Sequence, residues 1–111
     1  MIACGARTND HARLEVCVPT ALPRHMRAKI REIRGLETDA DHRGEGHARD
    51  LLQRTCIAAD FTDTWLMIHV DPGEADTHMQ GLVALYSSFG FIPFQASPLL
   101  MVRQSAHARA A

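Results

Sequence analysis

The chain has 111 residues, of which 46% are hydrophobic and 23% are charged, and its formal net charge is -1 at pH 7. This length suits one folded domain, and the composition is typical of an ordinary soluble globular protein. A net charge this close to zero predicts no general attraction to nucleic acid or to anionic membranes.

Cysteine content and the length of apolar runs indicate the compartment. Cys4, Cys17 and Cys56 are an odd number without C-x-x-C spacing, which argues against a disulfide framework or a structural zinc site. The N-terminal apolar run is too short for a signal peptide, and no later run has the length of a membrane span. We therefore expect a soluble, cytoplasmic protein with no membrane partner.

The first part of the chain predicts two short strands and a loop. Residues 1–7 are a weak candidate strand, and residues 13–18, RLEVCV, alternate well enough to be a second. Pro19 and Pro23 then bracket a loop, because proline lacks the N–H that a strand ladder needs.

Residues 29–38, KIREIRGLET, predict a third strand that contains a β-bulge. Ile33 and Leu36 lie three positions apart, so strict alternation would send them to opposite faces of a sheet. One extra residue near Arg34 and Gly35 would return both side chains to the same face, and a glycine inside a strand often marks such a bulge.

The segment HRGEG, residues 42–46, predicts a turn before an amphipathic helix over residues 46–60. The helical spacing is carried by Ala48, Leu51, Leu52, Thr55 or Cys56, and Ala59. A helix N-terminus has unpaired N–H groups and a positive dipole end, so residues 44–48 could present donors to a diphosphate. A turn that merely starts the helix is the alternative, since G-x-G alone is weak evidence.

Residues 64–70, TWLMIHV, are apolar on both alternating faces apart from one histidine, which predicts a central strand covered on both sides. A turn at residues 71–73 ends it, and a helix follows from an N-cap at Asp76 or Thr77 to Ser88, with Gly90 as its C-cap. The apolar stripe of that helix is Met79, Leu82, Val83, Tyr86 and Phe89.

Residues 91–95 and 99–104 predict two last strands around a turn at residues 96–98, and residues 105–111 predict a flexible tail. The order is strand, strand, bulged strand, helix, buried strand, helix, strand, strand. This order predicts one mixed α/β domain over residues 1–104, with helices covering the sheet.

Two motifs in this order resemble the landmarks of the GNAT N-acetyltransferase superfamily. The first is L-E-T-D-A-D-H-R-G-E-G-H-A, residues 36–48, which resembles the acetyl-CoA signature R/Q-x-x-G-x-G/A, with Arg43, Gly46 and Ala48 at its defining positions. The second is L-Y-S-S-F-G-F, residues 85–91, which resembles the helix ending Y-x-x-x-G-F. The chain is identified as a short, N-terminally abbreviated member.

The resemblance spans residues 29–104 and implies a mixed sheet of the GNAT type, in which the bulged strand splays from its parallel neighbour and opens a V for pantetheine. It implies acetyl-CoA as cosubstrate, with pantetheine on the strand backbone and pyrophosphate on the N–H groups of the glycine turn. The implied cofactor-binding residues are Leu36, Glu37, Thr38, Arg43, Gly44, Glu45, Gly46, His47 and Ala48.

The activity implied by the resemblance is acetyl transfer to a primary amine of a small molecule, peptide or protein, by direct attack in a ternary complex. Tyr86 falls at the position of a tyrosine that protonates the departing thiolate, and Glu32 falls near a general-base glutamate. The resemblance implies no metal, and the seven histidines show no H-E-x-x-H or comparable ligand spacing.

Each of these residues has a structural alternative. Tyr86 could be a core aromatic with its hydroxyl at the surface, and Glu32 could be a solvated strand charge. Glu37 is a competing base. His69 is more often a satisfied buried histidine than a catalyst, although it could face the slot. Cys56 is expected to be part of the helix packing.

The chain also departs from the family pattern. Residues 1–28 replace a strand, two helices and two further strands, and those helices normally help to form the acceptor wall. We expect an open acceptor site, a homodimer that completes the wall, or a catalytically silent protein that binds coenzyme A or a protein partner. Glu45 adds a negative charge to the cradle, His47 replaces an aliphatic residue, and Met79 replaces an asparagine.

Overall fold

The structure is a computed structural model that describes residues 1–70, 79–96 and 98–110. Its strands are β1 (Gly5–Thr8), β2 (Ala12–Cys17), β3 (Ile30–Thr38), β4 (Trp65–His69), β5 (Ile92–Ala96) and β6 (Leu99–Arg103). Its helices are α1 (Arg24–Arg27), α2 (His47–Phe61), α3 (Met79–Ser88) and α4 (Ala106–Ala110), and a short 3-10 turn covers Ala40–His42.

The strands form one six-stranded sheet in the order β1-β2-β3-β4-β6-β5. The β3–β4 pair is parallel, and the other neighbouring pairs are antiparallel. Parallel neighbours need a crossover connection, which α2 supplies between β3 and β4. The predicted mixed α/β architecture is confirmed, with every predicted strand and both long helices present.

A bulge in β3 is the main irregularity of the sheet. Arg13 pairs with Glu37 but Glu15 pairs with Arg34, so β3 has one more residue than β2 over this stretch. Gly35 has a φ of 63°, in the left-handed region that glycine adopts without steric cost. Ile33 and Leu36 both contact the main hydrophobic core. The bulge inferred from their spacing is confirmed.

The parallel pairing of β3 with β4 stops where the bulge begins. It runs from Ile30 opposite Trp65 to Ile33 opposite Ile68. β3 itself continues to Thr38 and remains paired with β2. The two strands therefore diverge beyond Ile33, which confirms the predicted splayed pair.

Helices α2 and α3 cover one face of the sheet and form the main core with it. The buried positions of α2 are Leu51, Leu52, Thr55, Cys56 and Ala59. Leu51, Leu52 and Ala59 were expected on the apolar side, Thr55 and Cys56 were expected there as alternatives, and α2 begins within one residue of its predicted start. Burial raises the pKa of the Cys56 thiol to about 11, as expected for a cysteine that packs inside a helix interface.

The end of α3 has the predicted glycine cap. Gly90 has a φ of 93°, its N–H donates to the Ser87 carbonyl at 3.0 Å, and the Phe91 N–H donates to the Tyr86 carbonyl at 3.2 Å. The core-facing residues of this segment include Leu82, Val83, Tyr86 and Phe89, as predicted. The predicted turn at residues 71–73, the N-cap at Asp76 or Thr77, the Met79 side chain and Ser97 lie outside the described residues.

The opposite face of the sheet carries a second, smaller cluster. Ile30, Met67 and Leu100 are buried there beneath Leu22 and Met26. The helix α1 that contributes Met26 lies just after the predicted loop. A single helical turn is too short for the apolar repeat that reveals a longer helix, which is why the sequence did not predict it.

The edge strand β5 is exposed on this side of the molecule. Ile92 and Phe94 retain 57% and 65% of their accessible surface. The pairing register of β5 with β6 shifts between Pro93 and Gln95, so Phe94 is a bulged residue. None of the helices in the described ranges is both long and apolar enough to cross a bilayer.

Residues 105–111, predicted as a flexible tail, include the helix α4. Asp60, near the end of α2, holds this segment by accepting hydrogen bonds from the Arg103 guanidinium at 2.7 and 2.8 Å and from the Ala106 N–H at 3.1 Å. Arg109 lies 3.2 Å from the same carboxylate. These partners are more than forty positions from Asp60 in the chain, so no local pattern could reveal them.

Asp60→Asn should lower the free energy of unfolding by about 3 kcal/mol, because it leaves the Arg103 guanidinium buried without its counter-charge. The Arg103 side chain is 7% exposed and that of Asp60 is 26% exposed. Urea denaturation at neutral pH, followed by the fluorescence of Trp65, measures the loss. The control is Arg54→Gln, which removes an exposed pair with Asp50 and should cost less than about 0.5 kcal/mol.

In acid, Asp60→Asn and the parent chain should have the same free energy of unfolding. The Arg103 side chain first, and then Arg109, holds the pKa of Asp60 below its usual range. Stabilisation from a carboxylate with a lowered pKa is present above its ordinary pKa of about 3.9 and is lost as the pH falls through the lower folded value. If Asp60→Asn and Arg54→Gln lowered the free energy of unfolding equally at neutral pH, the Asp60–Arg103 pair would be an ordinary surface ion pair.

Candidate functional site

A cavity of about 640 Å³ lies where β3 and β4 diverge. Its lining residues are Glu32, Ile33, Arg34, Gly35, Leu36, Glu37, Ile68, His69 and Tyr86. Beyond Ile33, the edge of β3 that faces this cavity is not paired with β4. A strand edge of this kind can pair with the amide groups of an extended ligand.

Glu32 lies inside the cavity wall, and its side chain is 7% exposed. Its carboxylate accepts a hydrogen bond from Arg34 Nε at 2.7 Å and lies 3.6 Å from His69 Nδ1. The alternative that Glu32 is a solvated strand charge is therefore wrong. Arg34 was not predicted as a site residue, although it lies two positions from Glu32 and so shares its side of a regular strand, and His69 was considered only as a residue that could face the slot.

His69 also differs from the expectation of a satisfied buried histidine. Its side chain is 47% exposed and lines the cavity beside Glu32. It is the last residue of β4, where the strand has already separated from β3. The position at the end of a diverging strand explains its exposure, and that position depends on the strand register rather than on the local sequence.

Tyr86 reaches the cavity from α3 and is 4% exposed. Its ring lies 5.9 Å from the Phe91 ring, centroid to centroid, and both belong to the main core. Burial raises the pKa of Tyr86 to about 12. The side chain is thus both a core aromatic and a cavity residue, and it keeps its proton at neutral pH.

The predicted pyrophosphate cradle, residues 43–48, lies at the start of α2. Gly44 and Gly46 have φ values of 80° and 87°, and no atom lies within 4 Å of a Cβ placed at either position. The Asp50 N–H donates to the Gly46 carbonyl at 2.9 Å, which closes the first turn of the helix. The N–H groups before Asp50 belong to the first helical turn, where they have no intrahelical acceptor.

Glu45, the acidic residue of the cradle, contacts two histidines. Its Oε1 atom lies 2.8 Å from His47 Nε2 and 3.2 Å from His42 Nδ1. Hydrogen bonds from His47 first, and then from His42, hold the pKa of Glu45 below its usual range. Glu45 and His47 both differ from the family pattern, and the two side chains contact each other.

The structure separates the predicted residues into two regions. Glu32, Leu36, Glu37 and Tyr86 line the cavity between the diverging strands. The cradle residues lie instead at the N-terminus of α2, next in the chain after β3 and the 3-10 turn. Thr38 is at the far end of β3, where it pairs with Ala12.

The sequence matches no protein-family model, and no curated protein resembles it significantly. Several solved structures have the same fold. The anti-CRISPR protein AcrVA5 superposes with a TM-score of 0.67 at 12% sequence identity, over 91% of this chain and 98% of that chain.

Two bacterial enzymes superpose on most of this chain. The GNAT family N-acetyltransferase YhbS from Escherichia coli, in complex with CoA, has a TM-score of 0.58 at 20% identity, over 90% of this chain and 57% of that chain. The ribosomal-protein-S18-alanine N-acetyltransferase from Escherichia coli has a TM-score of 0.62 at 17% identity, over 88% of this chain and 64% of that chain.

This chain spans less than two thirds of the length of those two enzymes. At identities of 20% and below, the likeness establishes the fold and leaves the reaction to be argued from the site. The splayed parallel pair, the bulged strand and the helix that follows it are those expected of the superfamily. The chain has the fold of the GNAT N-acetyltransferases.

Proposed function

We propose that this protein is an acetyl-CoA-dependent N-acetyltransferase that acts on a primary amine of a small molecule, peptide or protein. The observation that carries the proposal is the cavity between the diverging strands, which is lined by both a buried carboxylate, Glu32, and a buried phenol, Tyr86. Acyl transfer from a thioester to an amine needs a group that accepts a proton and a group that stabilises the thiolate.

Acetyl-CoA would bind along the route from the cavity to α2. Backbone groups of Leu36, Glu37 and Thr38 would pair with the pantetheine amides, because this edge of β3 is not paired with β4. The pyrophosphate would lie on the N–H groups of residues 43–48, at the positive end of the α2 dipole. The open space at Gly44 and Gly46 supports a close approach of the phosphate oxygens.

The acceptor amine must first lose a proton, since a lysine-like amine has a pKa of about 10.4. Glu32 is the assigned base, acting directly or through water, because it is the buried carboxylate of the cavity. Glu37 is a weaker candidate, since its side chain is 55% exposed, whereas that of Glu32 is 7% exposed. His69, 3.6 Å from Glu32, is placed to share the proton.

In the transfer step, the amine nitrogen attacks the thioester carbonyl, and the C–S bond then breaks to release the thiolate of coenzyme A. Backbone N–H groups of β3 would stabilise the tetrahedral oxyanion. A phenol of pKa about 12 is a weaker acid than an alkyl thiol of pKa about 8.5, so full proton transfer from Tyr86 is uphill by about 5 kcal/mol. We therefore assign Tyr86 as a hydrogen-bond donor to the thiolate, which takes its final proton, through water, from the attacking nitrogen as the amide forms.

A second candidate is a protein of this fold that binds coenzyme A without turnover. The observation that favours it lies on the sheet face opposite α2 and α3, where α1 supplies a single helical turn. In the family pattern, longer helices at this place help to form the acceptor wall. A homodimer in which the second copy supplies the acceptor wall would again favour the N-acetyltransferase.

Acetyl-CoA should bind one-to-one in calorimetry and should release free thiol when mixed with a suitable amine from a panel of small amines, peptides and proteins. The physical basis is the pairing edge of β3 together with the helix N-terminus of α2. Desulfo-coenzyme A controls for binding without transfer. Absence of acetyl-CoA binding contradicts the first candidate, whereas binding without thiol release from any amine supports the second.

Tyr86 offers a direct measurement, because it is the single tyrosine of the chain. Its tyrosinate absorbance should stay absent at pH 10, its ordinary pKa, and should appear near pH 12 or on alkaline unfolding. A phenol with a raised pKa stabilises the fold below pH 10 and loses that contribution as the pH rises towards 12. Tyr86→Phe should remove the absorbance change and lower kcat by roughly tenfold to a hundredfold with little change in KM. Unchanged turnover would remove Tyr86 from the reaction.

Glu32→Gln should lower kcat by roughly a hundredfold or more at neutral pH, because it removes the proton acceptor while keeping the size of the side chain. His69→Gln is the matched variant on the facing strand and should lower kcat by less. The profile of kcat/KM against pH measures both variants. A larger loss for His69→Gln would transfer the role of base to the histidine.

A further inference from the structure

Three histidines meet beside the pyrophosphate cradle, outside the cavity. His11 lies in the turn between β1 and β2, His42 ends the 3-10 turn, and His47 begins α2. Each histidine offers one ring nitrogen, and these three nitrogens all lie within 4.8 Å of one another. The His11 and His42 rings are stacked with centroids 3.5 Å apart, and the His47 ring meets His11 edge-on at 4.5 Å.

We propose that His11, His42 and His47 bind a Zn²⁺ ion, with the Glu45 carboxylate as the fourth ligand. Imidazole nitrogen and carboxylate oxygen are common zinc ligands, and four of them complete a tetrahedral site. This inference goes beyond acetyl transfer, because it assigns a metal to residues that the reaction does not use as acid or base, although His47 and Glu45 also belong to the proposed pyrophosphate cradle.

The position of Glu45 supports the binding of one metal ion by His42 and His47 together. A single oxygen, Oε1, contacts His42 Nδ1 at 3.2 Å and His47 Nε2 at 2.8 Å, so these two nitrogens already converge. Ligand atoms of a tetrahedral zinc site lie about 3.3 Å apart when the metal–ligand bonds are about 2.0–2.1 Å long. Because the His11 and His42 rings are stacked face to face, one of them must turn about its side-chain torsions before both rings can point a nitrogen at the same ion, and the 51% exposed Glu45 side chain must move with them.

Asn9 fixes the backbone that carries the ligands. Its side-chain amide donates to the His47 carbonyl at 2.8 Å, and its side-chain oxygen accepts from the His11 N–H at 3.1 Å. The Asp39 N–H donates to the His11 carbonyl at 2.8 Å, and the His42 N–H donates to the Asp39 carbonyl at 2.9 Å. The three histidines are thus held together by main-chain hydrogen bonds as well as by ring contacts.

Asp39 also supplies an outer carboxylate. Its Oδ2 atom lies 3.8 Å from His11 Nδ1. Zinc-bound histidines usually donate their second ring N–H to such a carboxylate, which orients the ring. Zinc held by His11 through Nε2 would leave Nδ1 for this contact.

The expectation of no metal site rested on ligand spacing within the sequence. His42 and His47 are five positions apart, and His11 lies far upstream on another element. Their proximity follows from the β1–β2 turn lying against the start of α2, which is a tertiary contact. A structural network of histidines around Glu45 is the competing explanation, and metal binding distinguishes the two.

The test uses the full chain without a histidine tag, freed of metal by a chelator. Zn²⁺ alone, titrated in a calorimeter, should bind one-to-one and should raise the melting temperature, because it binds the folded state. Co²⁺ alone should give the visible absorption of a four-coordinate site, without the near-ultraviolet charge-transfer band of a cysteine ligand. Absence of binding, or a thiolate band, overturns the proposal.

Substitution assigns the ligands. His11→Gln, His42→Gln and His47→Gln should each weaken Zn²⁺ binding at least about tenfold. His25→Gln and His107→Gln, at exposed positions on α1 and α4, are the matched controls and should bind as the parent chain does. Equal affinity of the ligand variants and the controls overturns the site.

Glu45→Gln keeps the test informative if a histidine variant fails to fold. The Glu45 side chain is 51% exposed, so this change leaves the core intact. Circular dichroism should match the parent chain, while Zn²⁺ affinity falls at least about tenfold. An unchanged affinity overturns the assignment of the fourth ligand.

Discussion

The bulge at Gly35 is the constraint on which the site depends. One extra residue in β3 keeps Leu36 on the core side after Ile33, and the pairing with β4 ends at the same place. No atom lies within 4 Å of a Cβ placed at Gly35, so glycine is needed there for its positive φ and not for space. Without the extra residue, every side chain beyond it would change faces.

Periodicity predicted the elements that are long enough to repeat. The apolar repeats of α2 and the uniform apolarity of β4 specify a helix and a central strand before any tertiary contact is known. The bulge was also visible, because two core residues at an odd separation require one. Helices α1 and α4, of four and five residues, contain too little repeat to be recognised.

Site residues that belong to a motif could be inferred, whereas the contacts that neighbouring elements make with them could not. Glu32 and Tyr86 were candidates from motif position, and the structure places both in one cavity. The contact of Glu32 with His69 depends on the register between β3 and β4, and the histidine cluster depends on a turn lying against a helix. Neither the Glu32–His69 contact nor the histidine cluster can be predicted from the spacing of residues along the chain.

The exposed edge strand β5 has a consequence for solubility. An edge strand offers unpaired N–H and C=O groups, and apolar side chains such as Ile92 and Phe94 would favour the addition of another chain. Pro93 removes one N–H donor from this edge, and the bulge at Phe94 interrupts its regular hydrogen-bond spacing. The edge is therefore a poor template for fibril growth, because regular backbone pairing with a second copy would be interrupted there.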